Sequence, residues 1–113
     1  MVNLINLFNK LFHQSKDYKN LIVVDDLDEI DYKKEILARK FIVLGKEKPK
    51  WIYFECPCGC RSTIQLNLMK SYFPKWRITI NKNKTISIYP SVINTKCDSH
   101  FWINKNKVLW HKD

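Results

Sequence analysis

Trp51-Ile52-Tyr53-Phe54-Glu55-Cys56-Pro57-Cys58-Gly59-Cys60 is the stretch that decides how this chain folds. Its first half is aromatic and β-branched, the composition of a half-buried strand. Its second half carries three of the four cysteines in the protein. The fourth stands in Cys97-Asp98-Ser99-His100, far along the sequence. A strand running into clustered thiols, answered at a distance by Cys-x-x-His, predicts one metal site pinning two remote parts of a small β-rich domain together. Zinc is the expected cofactor, held by four of the five candidates Cys56, Cys58, Cys60, Cys97 and His100.

The pentapeptide suits that task. Fully extended, Cys56 and Cys60 would stand roughly 13 Å apart, at ~3.3 Å per residue. Thiolates on one zinc are only about 4 Å apart. The chain must therefore turn, and Pro57 and Gly59 supply the fixed and the permissive φ that a turn needs. Cys97 and His100 can close the tetrahedron against Cys56 with Cys58, or against Cys58 with Cys60. A Cys₄ site with His100 outside the ligand set is the other arrangement. Disulfides among three cysteines in five residues would be strained.

Working outward, Phe41-Ile42-Val43-Leu44 reads as a strand ended by Gly45, and residues 62–68 as another. Trp76 to Ile80 and Thr85 to Tyr89 alternate around Asn81–Lys84, a hairpin expected to end at Pro90. Phe101–Ile103 and Val108–Trp110 form a terminal hairpin. Leu21–Val24 is β-type, and Tyr32–Lys40 has weak helical character. Val2, Leu4, Ile5, Phe8, Leu11 and Phe12 lie on one helical stripe, predicting an amphipathic helix over residues 2–14. The expected fold class is mainly β, α+β overall: a zinc-ribbon-like meander of β-hairpins, or a small β-sandwich module, behind an N-terminal amphipathic helix. The expected division is 1–39, helix and acidic segment, and 40–113, zinc-binding β domain.

The formal net charge of +9 is uneven. Residues 1–35 hold five basic and seven acidic side chains, residues 36–113 fifteen and four. The resulting −2 and +11 sum to the whole. A basic body suits a polyanion or an acidic protein, although a lysine-rich surface also serves solubility. No apolar run approaches the ~20 residues of a membrane span, and Met1–Phe12 lacks the basic start and cleavage site of a signal peptide. The expected compartment is the cytoplasm, where thiols stay reduced.

Cys56-Pro57-Cys58-Gly59-Cys60, with Pro49-Lys50-Trp51 before it and Trp76-Arg77, Pro90-Ser91 and Cys97-Asp98-Ser99-His100-Phe101-Trp102-Ile103 after it, resembles a small domain family of bacteria and their mobile elements. That family shows a Cys-Pro-Cys-Gly-Cys signature, a Trp-Arg strand and a Ser-His-Phe turn. The likeness covers about residues 40–110. Where the family usually has Gly after the third cysteine, this chain has Arg61. The resemblance implies a metal-binding β domain and an accessory role beside prokaryotic ubiquitin-like conjugation genes.

These observations predict a non-catalytic zinc-stabilised binding or adaptor module with a protein partner. A nucleic-acid-binding zinc ribbon is the alternative, with Lys70, Lys75, Trp76 and Arg77 on the strand and loop that would stack bases and follow phosphates. An accessory protein of a ubiquitin-like conjugation system is the third reading. No residue is assigned a catalytic role: a Cys/His pair needs an orienting acid, and Asp98 is only a neighbour in sequence.

Overall fold

The computed structural model describes residues 17–111. The helix expected over residues 2–14 lies outside the described residues. Among the described residues, eight strands form two four-stranded sheets. The first contains β1 (Leu21–Val24), β2 (Phe41–Leu44), β3 (Trp51–Glu55) and β4 (Thr63–Asn67) in that order. The second contains β5 (Arg77–Ile80), β6 (Ile86–Asn94), β7 (Ser99–Asn104) and β8 (Lys107–Trp110), also in chain order. All neighbours are antiparallel except β1 and β2, which run parallel through a crossover carrying α1 (Tyr32–Leu37). The second sheet is the expected meander. The first is not, because β1 joins β2 side by side across residue 40.

One core serves both sheets. Phe41, Val43, Ile52, Phe54, Ile64 and Leu66 face Ile86, Ile88, Val92, Phe101 and Ile103. The rings of Phe54 and Phe101 meet edge-on across the layer. On the outer face of the first sheet, Val24, Ile42 and Tyr53 pack under Ile36 of α1. With both faces covered, β2 is an unbroken apolar run rather than an alternating one. The shared core makes a small two-sheet sandwich with the cysteines at one end, rather than an open ribbon.

The acidic segment is local punctuation. Asp26 caps the 3₁₀ turn Leu27–Glu29, and the Glu29 carboxylate returns to accept from the Asp26 amide. Asp31 caps α1. Asp25 accepts from the Lys46 amide. Carboxylates at such ends satisfy amides that have no partner within the turn.

Pro90 does not end β6, which runs on to Asn94. From Ile88 to Val92 the strand advances four residues while β7 goes from Ile103 to Phe101. The excess is a bulge of Tyr89-Pro90-Ser91. A bulge leaves a residue outside the ladder, so the missing N–H of Pro90 breaks no pairing.

Candidate active site and metal centre

The bulge decides where the side chains of β6 point. Val92 is inward and buried; Ile93 is outward and exposed. On β7, Ser99, Phe101 and Ile103 are buried, and His100 and Trp102 stand on the other face. Ile93 pairs with His100, so Ser91 lies diagonally across the outer face from that histidine. Ser91 Oγ and His100 Nε2 are 2.9 Å apart. With the tautomer that leaves Nε2 unprotonated, the hydroxyl donates to the ring. A serine nucleophile and its general base would need such a contact.

Neighbouring groups fix both partners. The Trp76 indole N–H donates to the Ser91 carbonyl at 3.1 Å, holding the bulge from the β5 side. The His100 ring stacks on His111 at 4.1 Å between centroids and on Trp102 at 5.5 Å. The His111 amide donates to the His100 carbonyl at 2.9 Å, which keeps the two rings in register. The imidazole is thus oriented by flat aromatic packing.

The second constellation is at the end of the same hairpin. The sulfurs of Cys56, Cys58, Cys60 and Cys97 all lie within 4.8 Å of one another. Cys56 is 3.6 Å from both Cys58 and Cys97. Four thiolates at ~2.3 Å from one tetrahedral ion would be about 3.8 Å apart. The cysteines are free of disulfides and close enough together to hold a metal ion. The turn is made as its residues suggest. Cys56 leaves β3 with its amide on the Ser62 carbonyl, and Gly59 takes a positive φ of 92°. Arg61 has φ 65°, in the left-handed region a glycine adopts freely.

His100 is not among the clustered ligands. The reason is strand parity: Cys97 and Ser99 share a side, and Ser99 Oγ lies 3.0 Å from Cys97 Sγ. His100 points away to Ser91. A Cys-x-x-His pair converges in a turn, but here the strand has begun by residue 99. Other polar groups surround the thiols. Ser62 Oγ is 3.0 Å from Cys60 Sγ, and the Asn94 amide group donates to Ser62 at 2.8 Å. The Cys60 amide donates to Cys58 Sγ. As free thiols, Cys56, Cys58 and Cys60 differ. Burial pushes Cys56 up to about 12 and raises Cys58. Burial also acts on Cys60, but hydrogen bonds from Ser62 and from the neighbouring cysteines outweigh it and bring that thiol down to about 6.

Lys70, Lys75 and Arg77 are exposed, and Trp76 is half-buried. Of these, Trp76 reaches the Ser91 carbonyl and Arg77 pairs with Tyr89 on the same bulge, while Lys75 Nζ lies on the Lys70 carbonyl. Ser91 itself escapes sequence reasoning. Its signals were Pro90, a residue that breaks ladder pairing in the middle of an apolar strand, and the place of Pro90-Ser91 in the family likeness, neither of which assigns the serine a role.

No described helix is long and apolar enough to cross a membrane. No curated protein and no solved structure shows significant similarity to the chain. A family model described as bacterial ubiquitination-like system serine protease (BubE) matches residues 26–111. That span holds Ser91, His100 and all four cysteines, and it covers most of the chain; the protein therefore belongs to the BubE family of bacterial ubiquitination-like systems.

Proposed function

We propose that the chain is a serine hydrolase of a ubiquitination-like system, acting on a polypeptide acyl group, with Ser91 as nucleophile and His100 as general base. The observation that carries this reading is the 2.9 Å contact between Ser91 Oγ and His100 Nε2. The family description, which names a serine protease, supports it. As Ser91 Oγ adds to the substrate carbonyl carbon, its proton passes to His100 Nε2. The imidazolium then gives that proton to the departing nitrogen or oxygen, leaving an acyl-Ser91 ester. Water repeats the sequence, losing a proton to His100, and releases the acid with Ser91 restored.

The cysteine cluster serves this reading as a structural centre. Four sulfur donors in a tetrahedral set suit zinc and leave no open position for substrate. The site would fasten the β3–β4 turn to the β6–β7 turn. Zinc, a protein partner and a cytoplasmic setting that keeps thiols reduced belong together in this reading. The adaptor role expected from the sequence becomes the binding step of an enzyme.

A fluorophosphonate probe should modify Ser91, identified by peptide mass. Ser91→Ala should abolish the adduct, and His100→Asn should slow it by about 10²–10⁴-fold. Modification elsewhere, or not at all in folded protein, rejects the reading. His100→Ala should keep its zinc by elemental analysis; metal loss in that variant would return His100 to the ligand set.

A further inference from the structure

We propose that the loop of residues 68–76, together with the Arg77–Tyr89 pair, is a docking surface for an acidic polypeptide, the part of the substrate that leads the scissile carbonyl to Ser91. This inference rests on the hydrolase reading for its endpoint, but the surface is argued from its own features.

The loop is built rather than slack. Asn67 is buried, and its amide group donates to the carbonyls of Met69, Tyr72 and Pro74 while its oxygen accepts from the Met69 amide. The loop closes where the Trp76 amide donates to the Asn67 carbonyl. What this frame holds outward is apolar: Tyr72 is 62% exposed and Phe73 79%. Tyr89, on the bulge with Ser91, is 61% exposed. Large aromatic side chains kept in water on an ordered frame are the mark of an interaction surface.

The charge of the surface selects the partner. Between Cys56 and Cys97 the chain has no Asp or Glu, against seven Lys and Arg. Two of those cations lie over the exposed rings. Lys75 Nζ is 4.7 Å from the Phe73 centroid, and the Arg77 guanidinium is 5.3 Å from that of Tyr89. A cation over a ring face blocks base stacking on that face and can still turn N–H groups to carboxylates; Lys75 Nζ gives one of its three to the Lys70 carbonyl at 3.3 Å. Of the other two aromatic residues here, Trp76 is half-buried and spends its N–H on Ser91, which leaves Tyr72 as a lone exposed ring rather than a row of them. Single-strand binding needs open ring faces. An acidic peptide needs exposed cations beside apolar anchors, which is what this surface offers. The surface also continues into the catalytic pair, because Trp76 touches the nucleophile's own backbone.

The test uses full-length Ser91→Ala protein, which cannot turn over. Its binding is followed by fluorescence anisotropy with a short labelled peptide of Glu, Leu and Gly, with the same peptide carrying Lys for Glu, and with labelled oligothymidylate. The acidic peptide should bind, and added salt should weaken it. Lys75→Glu/Arg77→Glu should cost at least about tenfold in affinity, with the milder Lys75→Gln/Arg77→Gln in between and Phe73→Ala also weaker. Circular dichroism checks that each variant is folded, and the glutamine pair stands in if the glutamate pair is not. Equal binding of both peptides, or indifference to the substitutions, overturns the proposal. Tighter binding of oligothymidylate that displaces the acidic peptide overturns it in favour of nucleic acid. The hydrolase reading is scored separately on wild-type protein by fluorophosphonate labelling. Peptide binding without labelling would leave the surface standing and remove the hydrolase; labelling without peptide discrimination would do the reverse.

Discussion

Arg61 is held at φ 65° directly after the third cysteine, where a side chain is strained by its own carbonyl. Arg61→Gly should relieve that strain and raise stability by up to about 1 kcal/mol, read as a shift in urea midpoint with zinc content unchanged. A loss of stability would mean that the arginine side chain contributes more than its backbone costs. Trp76 is the residue to probe beside Ser91, the proposed nucleophile. Trp76→Phe keeps a ring in the core and removes the N–H that reaches the Ser91 carbonyl. Labelling of Ser91 should slow by about tenfold to a hundredfold in a protein that melts nearly as before, because a small misplacement of a nucleophile is costly. An unchanged labelling rate would show that the bulge holds itself. The thiols should also separate by reactivity in metal-stripped protein. At neutral pH Cys60, at about 6, is mostly thiolate and exposed, while Cys56, at about 12 and buried, is thiol. Thiolate is the reactive form, so iodoacetamide should take Cys60 first and Cys56 last by mass spectrometry.

The β6–β7 hairpin is the element on which both constellations depend. Ser91 and Asn94 come from its first strand, Ser99 and His100 from its second, and Cys97 from the turn between. A metal on the four sulfurs would close that turn onto β3 and β4. Its removal should lower the melting temperature by about 15 °C or more, since a tightly bound ion contributes roughly 4 kcal/mol at a thousandfold excess over its dissociation constant. The same treatment should slow Ser91 labelling before the protein melts, as the hairpin end loosens. A melt and a labelling rate that both ignore proven metal removal would leave the cluster without a structural role. The strands themselves were legible in the sequence, because alternation in Ile78-Thr79-Ile80 and Ile86-Ser87-Ile88 carries the period of a two-faced strand. So was the cysteine turn, from Pro57 and Gly59. The Ser91–His100 contact was not. Ser91 meets His100 only because a bulge sets the register of β6 on β7, and register is a relation between strands that neither strand's composition states. For the same reason Cys97 and His100 looked like one ligand pair: three-residue spacing joins them in a turn and parts them in a strand.

At the scale of the molecule, Tyr18, just before β1, is a residue that joins the N-terminal third to both sheets. Tyr18 is buried; its ring packs on Phe41 at 4.4 Å and edge-on to Phe54, and its hydroxyl donates to the Glu55 carbonyl at 2.6 Å, just ahead of Cys56. Its amide also donates to the Asn106 carbonyl in the β7–β8 turn. Asn106 in turn accepts from the Ile86 amide through its side chain, so Tyr18 touches both sheets at once. Burial holds the phenol well above its ordinary pKa, which extends its role as a donor into the alkaline range. Deleting residues 1–14 removes none of these contacts and should leave the melting temperature within a few degrees of the full chain. Deleting residues 1–20 removes all of them and should cost about 3–5 kcal/mol, the usual loss of a buried aromatic side chain, with the Glu55 carbonyl left without its donor. Tyr18→Phe in the full chain separates the two parts, since it keeps the ring and should lose only about 1–2 kcal/mol. Denaturant unfolding of the three proteins gives the ranking. If the shorter deletion already unfolds the protein, residues 1–14 share the core. If the longer one is harmless, the β1–β2 pairing and the cysteine knuckle hold the two sheets together without Tyr18.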